Sequence, residues 1–221
     1  MKIKHQTKSI SWIDIFGKVN LIISGICLLI FLWLAILSFQ RNPQLNQFDE
    51  NFLLQLKESL PPQFIYFARI FYWLGNAETS ACVVLISIII LAWRRYWQEA
   101  QVVALSSFGV LMLVDQILKP IIYRLRPLDR LVHVDGRSFP SGHATGNFLL
   151  YFLLAYILSY RFPKYKIHFY ITAAITLFLM GIASMYLRVH WLTDILGGYG
   201  LGFILLTLSL GVLKVTQKKY Q

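Results

Sequence analysis

Phe139-Pro140-Ser141-Gly142-His143, with the apolar run it introduces from Ala144 to Tyr160, is the stretch on which the reading of this chain turns. Crossing about 30 Å of hydrocarbon takes roughly 20 helical residues, fewer where aromatics anchor the ends. The run therefore reads as a membrane helix and the pentapeptide as the turn that feeds it. Pro140 fixes its own φ and biases Phe139 away from the helical region, Ser141 can cap, and Gly142 lets a ligand approach the backbone closely. A helix start presents unpaired N–H groups and a positive dipole end, which favour an anion, and a histidine there can give or take a proton. The turn is suited to hold a phosphate beside an acid.

Five more runs of the same kind surround it: 19–39, 77–93, 102–118, 167–186 and 191–215. Of the 221 residues, 57% are hydrophobic and only 14% charged, and the mean hydropathy is +0.59. That composition belongs to multi-spanning membrane proteins rather than to soluble domains. The expected fold class is all-α, a polytopic membrane protein with six transmembrane helices in one bundle. Residues 1–18 form a cytoplasmic N-terminal segment, 19–215 the six-span domain and 216–221 a basic tail. The first run lacks a small-x-small exit and ends in Ser38-Phe39-Gln40-Arg41, so it is read as a retained span rather than a cleaved signal. Between the first two runs, Phe48, Phe52, Leu53, Leu56 and Leu60 recur at helical spacing among charged residues, which predicts an amphipathic helix on the membrane surface closed by Pro61-Pro62. The aromatic stretch 64–74 is too short to span. Gly197, Gly198, Gly200 and Gly202 fit close helix packing in lipid. Cys27 and Cys82 lie inside apolar runs, so no disulfide framework is readable.

The formal charge of +11 does not point to nucleic acid, because the basic residues cluster between apolar runs, as a topology signal does. Six spans put Lys2, Lys4, Lys8, Lys18, Arg94, Arg95, Arg161, Lys164, Lys166, Lys214, Lys218 and Lys219 on one side, twelve of the 21 basic residues, against the acids Asp14 and Glu99. That side is expected to be cytoplasmic and to hold both termini. The other side keeps Lys119, Arg124, Arg126, Arg130, Arg137 and Arg188 in the loops near Pro140. Positive charge retained there asks for an anionic ligand.

Three polar stretches meet on that face. If the third helix continues past Pro120, Lys119, Tyr123 and Arg126 share one side of it at i, i+4 and i+7, and the two cations can clamp phosphate oxygens. Arg124 falls off that side and is expected to be solvated or paired with Asp129. The second stretch is the Pro140–His143 turn. In the third, His190 and Asp194 stand at i, i+4, so the carboxylate can accept a hydrogen bond from one ring nitrogen and leave the other unprotonated. A carboxylate just inside a span costs on the order of 2.5–3.5 kcal/mol unless partnered.

Lys-x6-Arg-Pro from Lys119, Pro-Ser-Gly-His from Pro140, and His-x3-Asp from His190 together resemble the type 2 phosphatidic acid phosphatase (PAP2) superfamily of membrane lipid phosphatases. The motifs cover residues 119–194, and the six-span layout carries the likeness over most of the chain. The resemblance implies a metal-independent phosphatase with no cofactor, acting on a lipid phosphate or diphosphate at the non-cytoplasmic face, in a cell membrane. His190, oriented by Asp194, would attack phosphorus and form a phosphohistidine; His143 would protonate the departing alkoxide. Lys119, Arg126, Ser141 and Gly142 would stabilise the phosphate oxygens. The family usually carries Ser-Arg seven and six residues before its second histidine, where this chain has Ala183 and Ser184, so one phosphate-binding arginine is missing from its place. Arg188 is the expected partial substitute. A phosphotransferase using the same intermediate and a catalytically weakened lipid-phosphate binder are the alternatives. The sequence does not fix the oligomeric state.

Overall fold

The structure is a computed structural model that describes residues 12–219; Lys2, Lys4 and Lys8 of the topology count lie outside the described residues. In chain order the helices are α1 (Trp12–Phe16), α2 (Lys18–Phe39), α3 (Pro43–Ser59), α4 (Phe64–Leu74), α5 (Ala77–Trp93) and α6 (Trp97–Leu111). A π-helical stretch, Met112–Leu118, joins α6 to α7 (Lys119–Ile122), and α8 (Gly142–Arg161), α9 (Lys166–Tyr186) and α10 (Leu192–Lys219) complete the chain. The local chemistry explains several starts. Asn42 caps α3 through Oδ1 to the Leu45 amide, with Pro43 in the first turn, and Asn76 caps α5 through Oδ1 to the Thr79 amide.

Four segments among the described residues are long and apolar enough to cross a membrane: Lys18–Phe39, Trp97–Ile122, Pro163–Tyr186 and Leu192–Gln217. α4 and α5, bent by 45° at their junction, make a fifth if taken as one broken span. Of the six expected runs, 77–93 thus qualifies only jointly with α4. The run 144–160 is helical but does not qualify, because α8 opens with Gly142, His143 and Asn147. It need not be apolar throughout, since it packs against α6, α9 and α10 and buries Leu149, Leu150 and Leu153.

Glycine lets α10 lie against α8. A Cβ on Gly198 would come within 2.7 Å of the Ala144 Cβ and 2.9 Å of the Ser141 carbonyl oxygen, and one on Gly202 within 2.8 Å of the Phe148 Cβ. Gly197 would likewise meet the Phe139 ring, whereas at Gly200 the nearest atoms are at ordinary contact distance. Gly198→Ala is therefore expected to cost about 1–3 kcal/mol through overpacking, read as a lower thermal midpoint in detergent, while Gly200→Ala stays close to wild type.

At one end of the bundle Arg161 donates to Glu99, as does Gln217, tying α8, α6 and α10 together. At the other end the last turn of α9, the first turns of α8 and α10, and the segment after α7 converge, linked by the Leu131 amide to the Leu187 carbonyl and by Arg124 to Asp194. The amphipathic α3 lies across this second end. Its inward residues are Leu45, Asp49 and Leu53, while Phe48 is exposed. The expected apolar stripe is thus only partly the buried one: a carboxylate takes an inward position because Arg124 and Thr193 receive it.

Candidate functional site

α8 begins as its sequence dictates. Ser141 accepts a hydrogen bond from the Ala144 amide through Oγ and from the Thr145 amide through its carbonyl, leaving the Gly142 and His143 amides without an acceptor inside the helix. The Ser141 side chain is fully buried in this cap. The open side of Gly142 faces Lys119 Nζ. The turn is fixed to α10 by the Ser141 amide, which donates to the Asp194 carbonyl.

The clamp of Lys119 and Arg126 arises differently from the expected continuous helix. Tyr123 takes a left-handed conformation with φ 55 and ends α7, so Lys119, Tyr123 and Arg126 do not share a helical face. Arg126 arrives on the extended segment that follows. Both cations nevertheless line one cavity of about 570 Å³ between α5, α6 and α8, with Gly142 and His143 beside them. Away from this polar end the wall is apolar, formed by Val84, Ile88, Phe108 and Leu150.

Lys119 is paired with Asp115 of the π-helical stretch through Oδ1 at 2.5 Å. Arg126 is more deeply held, 8% exposed, with Nη1 donating to the Val189 carbonyl at 2.9 Å and Nε to the Gly136 carbonyl. The same Nη1 stands 3.2 Å from His190 Nε2. A guanidinium has no acceptor, so this contact requires the Nε2 lone pair and puts the ring proton on Nδ1. Nδ1 faces Asp194 Oδ2 at 3.5 Å, longer than an ordinary hydrogen bond and within charge contact. Burial holds the His190 imidazole down to about 4, with Asp194 pulling it up and the Arg126 charge lowering it further. At neutral pH it is an uncharged base.

His143 and His190 stand with ring centroids 6.1 Å apart, close enough for both to reach a single phosphoryl group. The His143 ring stacks on Tyr72 of α4 at 4.9 Å, and its Nε2 is buried without a protein partner. Asp194 is fully buried, with a donor on each oxygen: Oδ1 accepts from Arg124 and Oδ2 from the Trp191 amide.

Two sequence expectations need correction. Arg124 is neither solvated nor paired with Asp129; it is 4% exposed and bonded to Asp49, Asp194 and Thr193. Arg188 is not brought to the histidine pair. Its Nη2 donates to Glu50 of α3 and its Nε to the Leu128 carbonyl, and it is not among the residues that line the cavity with Lys119 and Arg126. Ser184 is buried and bonded to the Met180 carbonyl, in a cleft with His143 and Tyr199 too narrow for water. Sequence reasoning missed Tyr72, Asp115, Arg124 and Asp49. Only Asp49 left a readable signal, as an acid in register with Leu45 and Leu53 on one face of α3.

A helical membrane bundle brings two histidines and a buried carboxylate together with two cations, and Lys119, Arg126 and His143 of this group line one largely apolar cavity, an arrangement suited to an anion. The chain belongs to the PAP2 superfamily, whose family model it matches over residues 77–218. It is 38% identical over 133 residues to phosphatidylglycerophosphatase B of Bacillus subtilis (strain 168), an alignment covering 58% of this chain and 64% of that protein, somewhat under two thirds of the relative's length. Its fold is similar to the crystal structure of a transmembrane PAP2 type phosphatidylglycerolphosphate phosphatase from Bacillus subtilis, with a TM-score of 0.78 at 29% identity, covering 90% of this chain and 97% of that one.

Proposed function

We propose that the protein is a metal-independent membrane phosphatase that hydrolyses a lipid phosphate monoester, phosphatidylglycerophosphate being the first substrate to try, through a phosphohistidine on His190. The observation that carries this reading is the histidine pair: an uncharged His190 whose Nε2 lone pair meets Arg126, 6.1 Å from His143. In the first half-reaction the His190 Nε2–phosphorus bond forms as the phosphorus–ester oxygen bond breaks, and the departing alkoxide takes a proton from His143. In the second half His143 takes a proton from water, the water oxygen bonds to phosphorus, and the nitrogen–phosphorus bond breaks. Lys119, Arg126 and the free amides at the start of α8 stabilise the oxygens as charge develops.

The lipid character of the substrate is supported by the cavity, whose apolar wall of Val84, Ile88, Phe108 and Leu150 suits acyl chains while the phosphate lies against the cations. Because Arg126 both lines the cavity and covers the His190 lone pair, an entering phosphate must draw the guanidinium onto its own oxygens before phosphorus can meet Nε2. α8 completes a six-span bundle in this reading, with the site on the non-cytoplasmic side and both termini in the cytoplasm of a plasma-membrane protein, as the distribution of basic residues supports. Phosphate release from a panel of phosphatidylglycerophosphate, phosphatidate and polyprenyl diphosphate, with chelator present, tests the proposal. Release from at least one lipid is expected; binding without release from any would overturn it.

A further inference from the structure

On the Nδ1 side of His190, opposite the Nε2 that meets Arg126, lies a buried charge cluster of which the chemistry above uses neither Arg124 nor Asp49. Arg124 is 4% exposed, and Asp49 and Asp194 are fully buried. Arg124 Nη1 donates to Asp194 Oδ1 at 2.8 Å and Nη2 to Asp49 Oδ2 at 2.6 Å. Thr193 closes the ring: its Oγ1 accepts from Arg124 Nη1 at 2.7 Å and donates to Asp49 Oδ2 at 2.6 Å, while its amide donates to Asp49 Oδ1 at 3.1 Å. Neither Asp49 nor Arg124 is on the cavity wall. Attaching α3 to the bundle does not require this arrangement, since apolar contacts fasten a helix without desolvating three charges.

We propose that Arg124 and Asp49 are positioning residues for the reaction, holding Asp194 against His190 and together leaving that carboxylate its negative charge. The inference rests on the reading of His190 as the nucleophile. When Nε2 bonds to phosphorus the ring gives up its lone pair and becomes positive, with Nδ1–H toward Asp194. One guanidinium shared by two carboxylates leaves a net charge of minus one behind the ring at that moment. Without Asp49, Arg124 would neutralise Asp194 and the stabilisation would be lost. α3, supplied by a part of the chain far from the three motifs, is in this account a component of the active site. The other charged or titratable groups facing His190 are Lys119 of α7, Arg126 of the following segment and His143 of α8, all three of which line the cavity.

The test uses the full chain in detergent with phosphatidylglycerophosphate. Asp49→Asn and Arg124→Gln are each expected to lower kcat by about 10–100-fold, by analogy with the loss of an outer partner that orients a metal-bound histidine, with KM unchanged because neither residue lines the cavity. The acid limb of the kcat/KM profile, which reports protonation of His190, is expected to move in opposite directions. It goes to lower pH in Asp49→Asn, where a negative charge is lost, and to higher pH in Arg124→Gln, where a positive charge is lost. General loosening of the fold would not give opposite signs. Arg124→Lys keeps the charge without the fork, so it should leave the limb in place while kcat still falls. It also serves if Arg124→Gln does not fold, an unchanged kcat then overturning the proposal. Limbs that stay put or move together, in a protein whose wild type forms a labelled phosphohistidine on His190, would also overturn it. A wild type that forms no phosphoenzyme refutes the underlying reading instead.

Discussion

Replacing His190 by alanine is expected to reduce phosphate release by about 10⁴–10⁶-fold, the scale on which a nucleophile and its partners fail as a unit. The residue is 1% exposed, and no other described side chain offers an uncharged nitrogen both to Arg126 and within reach of His143. The fold should survive, because Arg126 keeps its bonds to the Val189 and Gly136 carbonyls and Asp194 keeps those from Arg124 and the Trp191 amide. Phosphate release measured beside the thermal midpoint separates the two effects. A variant that folds and still turns over near the wild-type rate would remove His190 from the chemistry.

Arg126→Ala is expected to follow in size, with kcat lower by about 10²–10³-fold from the lost transition-state donor alone. Two contacts argue for the upper end of that range. The guanidinium is one of only two cations lining the cavity, and its contact with Nε2 fixes the imidazole in the tautomer that can attack. With Ser184 bonded to the Met180 carbonyl and Arg188 tied to Glu50, no second guanidinium among the described residues lines the cavity to replace it. Arg126→Lys retains the charge but loses the Nε bond to the Gly136 carbonyl that holds the guanidinium while Nη1 reaches Val189 and His190, so it should remain at least about tenfold impaired. Steady-state kinetics on detergent-solubilised protein check both variants, and equal kcat for alanine and wild type would contradict the assignment.

The helices were legible because hydrocarbon demands long apolar runs, and the ends of α2, α5 and α9 fall close to where the runs begin and end. Ser141 as a cap and Gly198 and Gly202 as contact points were legible for the same reason: each answers a local requirement. What could not be read depends on partners remote in the chain. Arg124 falls off the side expected for Lys119 and Arg126, which pointed to solvent or to Asp129, yet Asp49 and Asp194 approach it from α3 and α10. Arg188 looked free to serve the site until Glu50 claimed it. The end of α7 at Tyr123 comes from a left-handed residue that carries no glycine or asparagine to announce it. α8 is too polar at its start to pass as a lipid-facing span, because that start is where the cation pair, Tyr72 and Gly75 meet it.

The arrangement stands or falls on where the phosphoryl group is held between the two half-reactions. Rapid quenching of the protein with lipid labelled in its terminal phosphate should trap an acid-labile, alkali-stable phosphohistidine that maps to the peptide containing His190 and is absent from His190→Ala. Label found on His143 or on any other residue, or full turnover with no trapped phosphoenzyme at any quench time, would contradict the account.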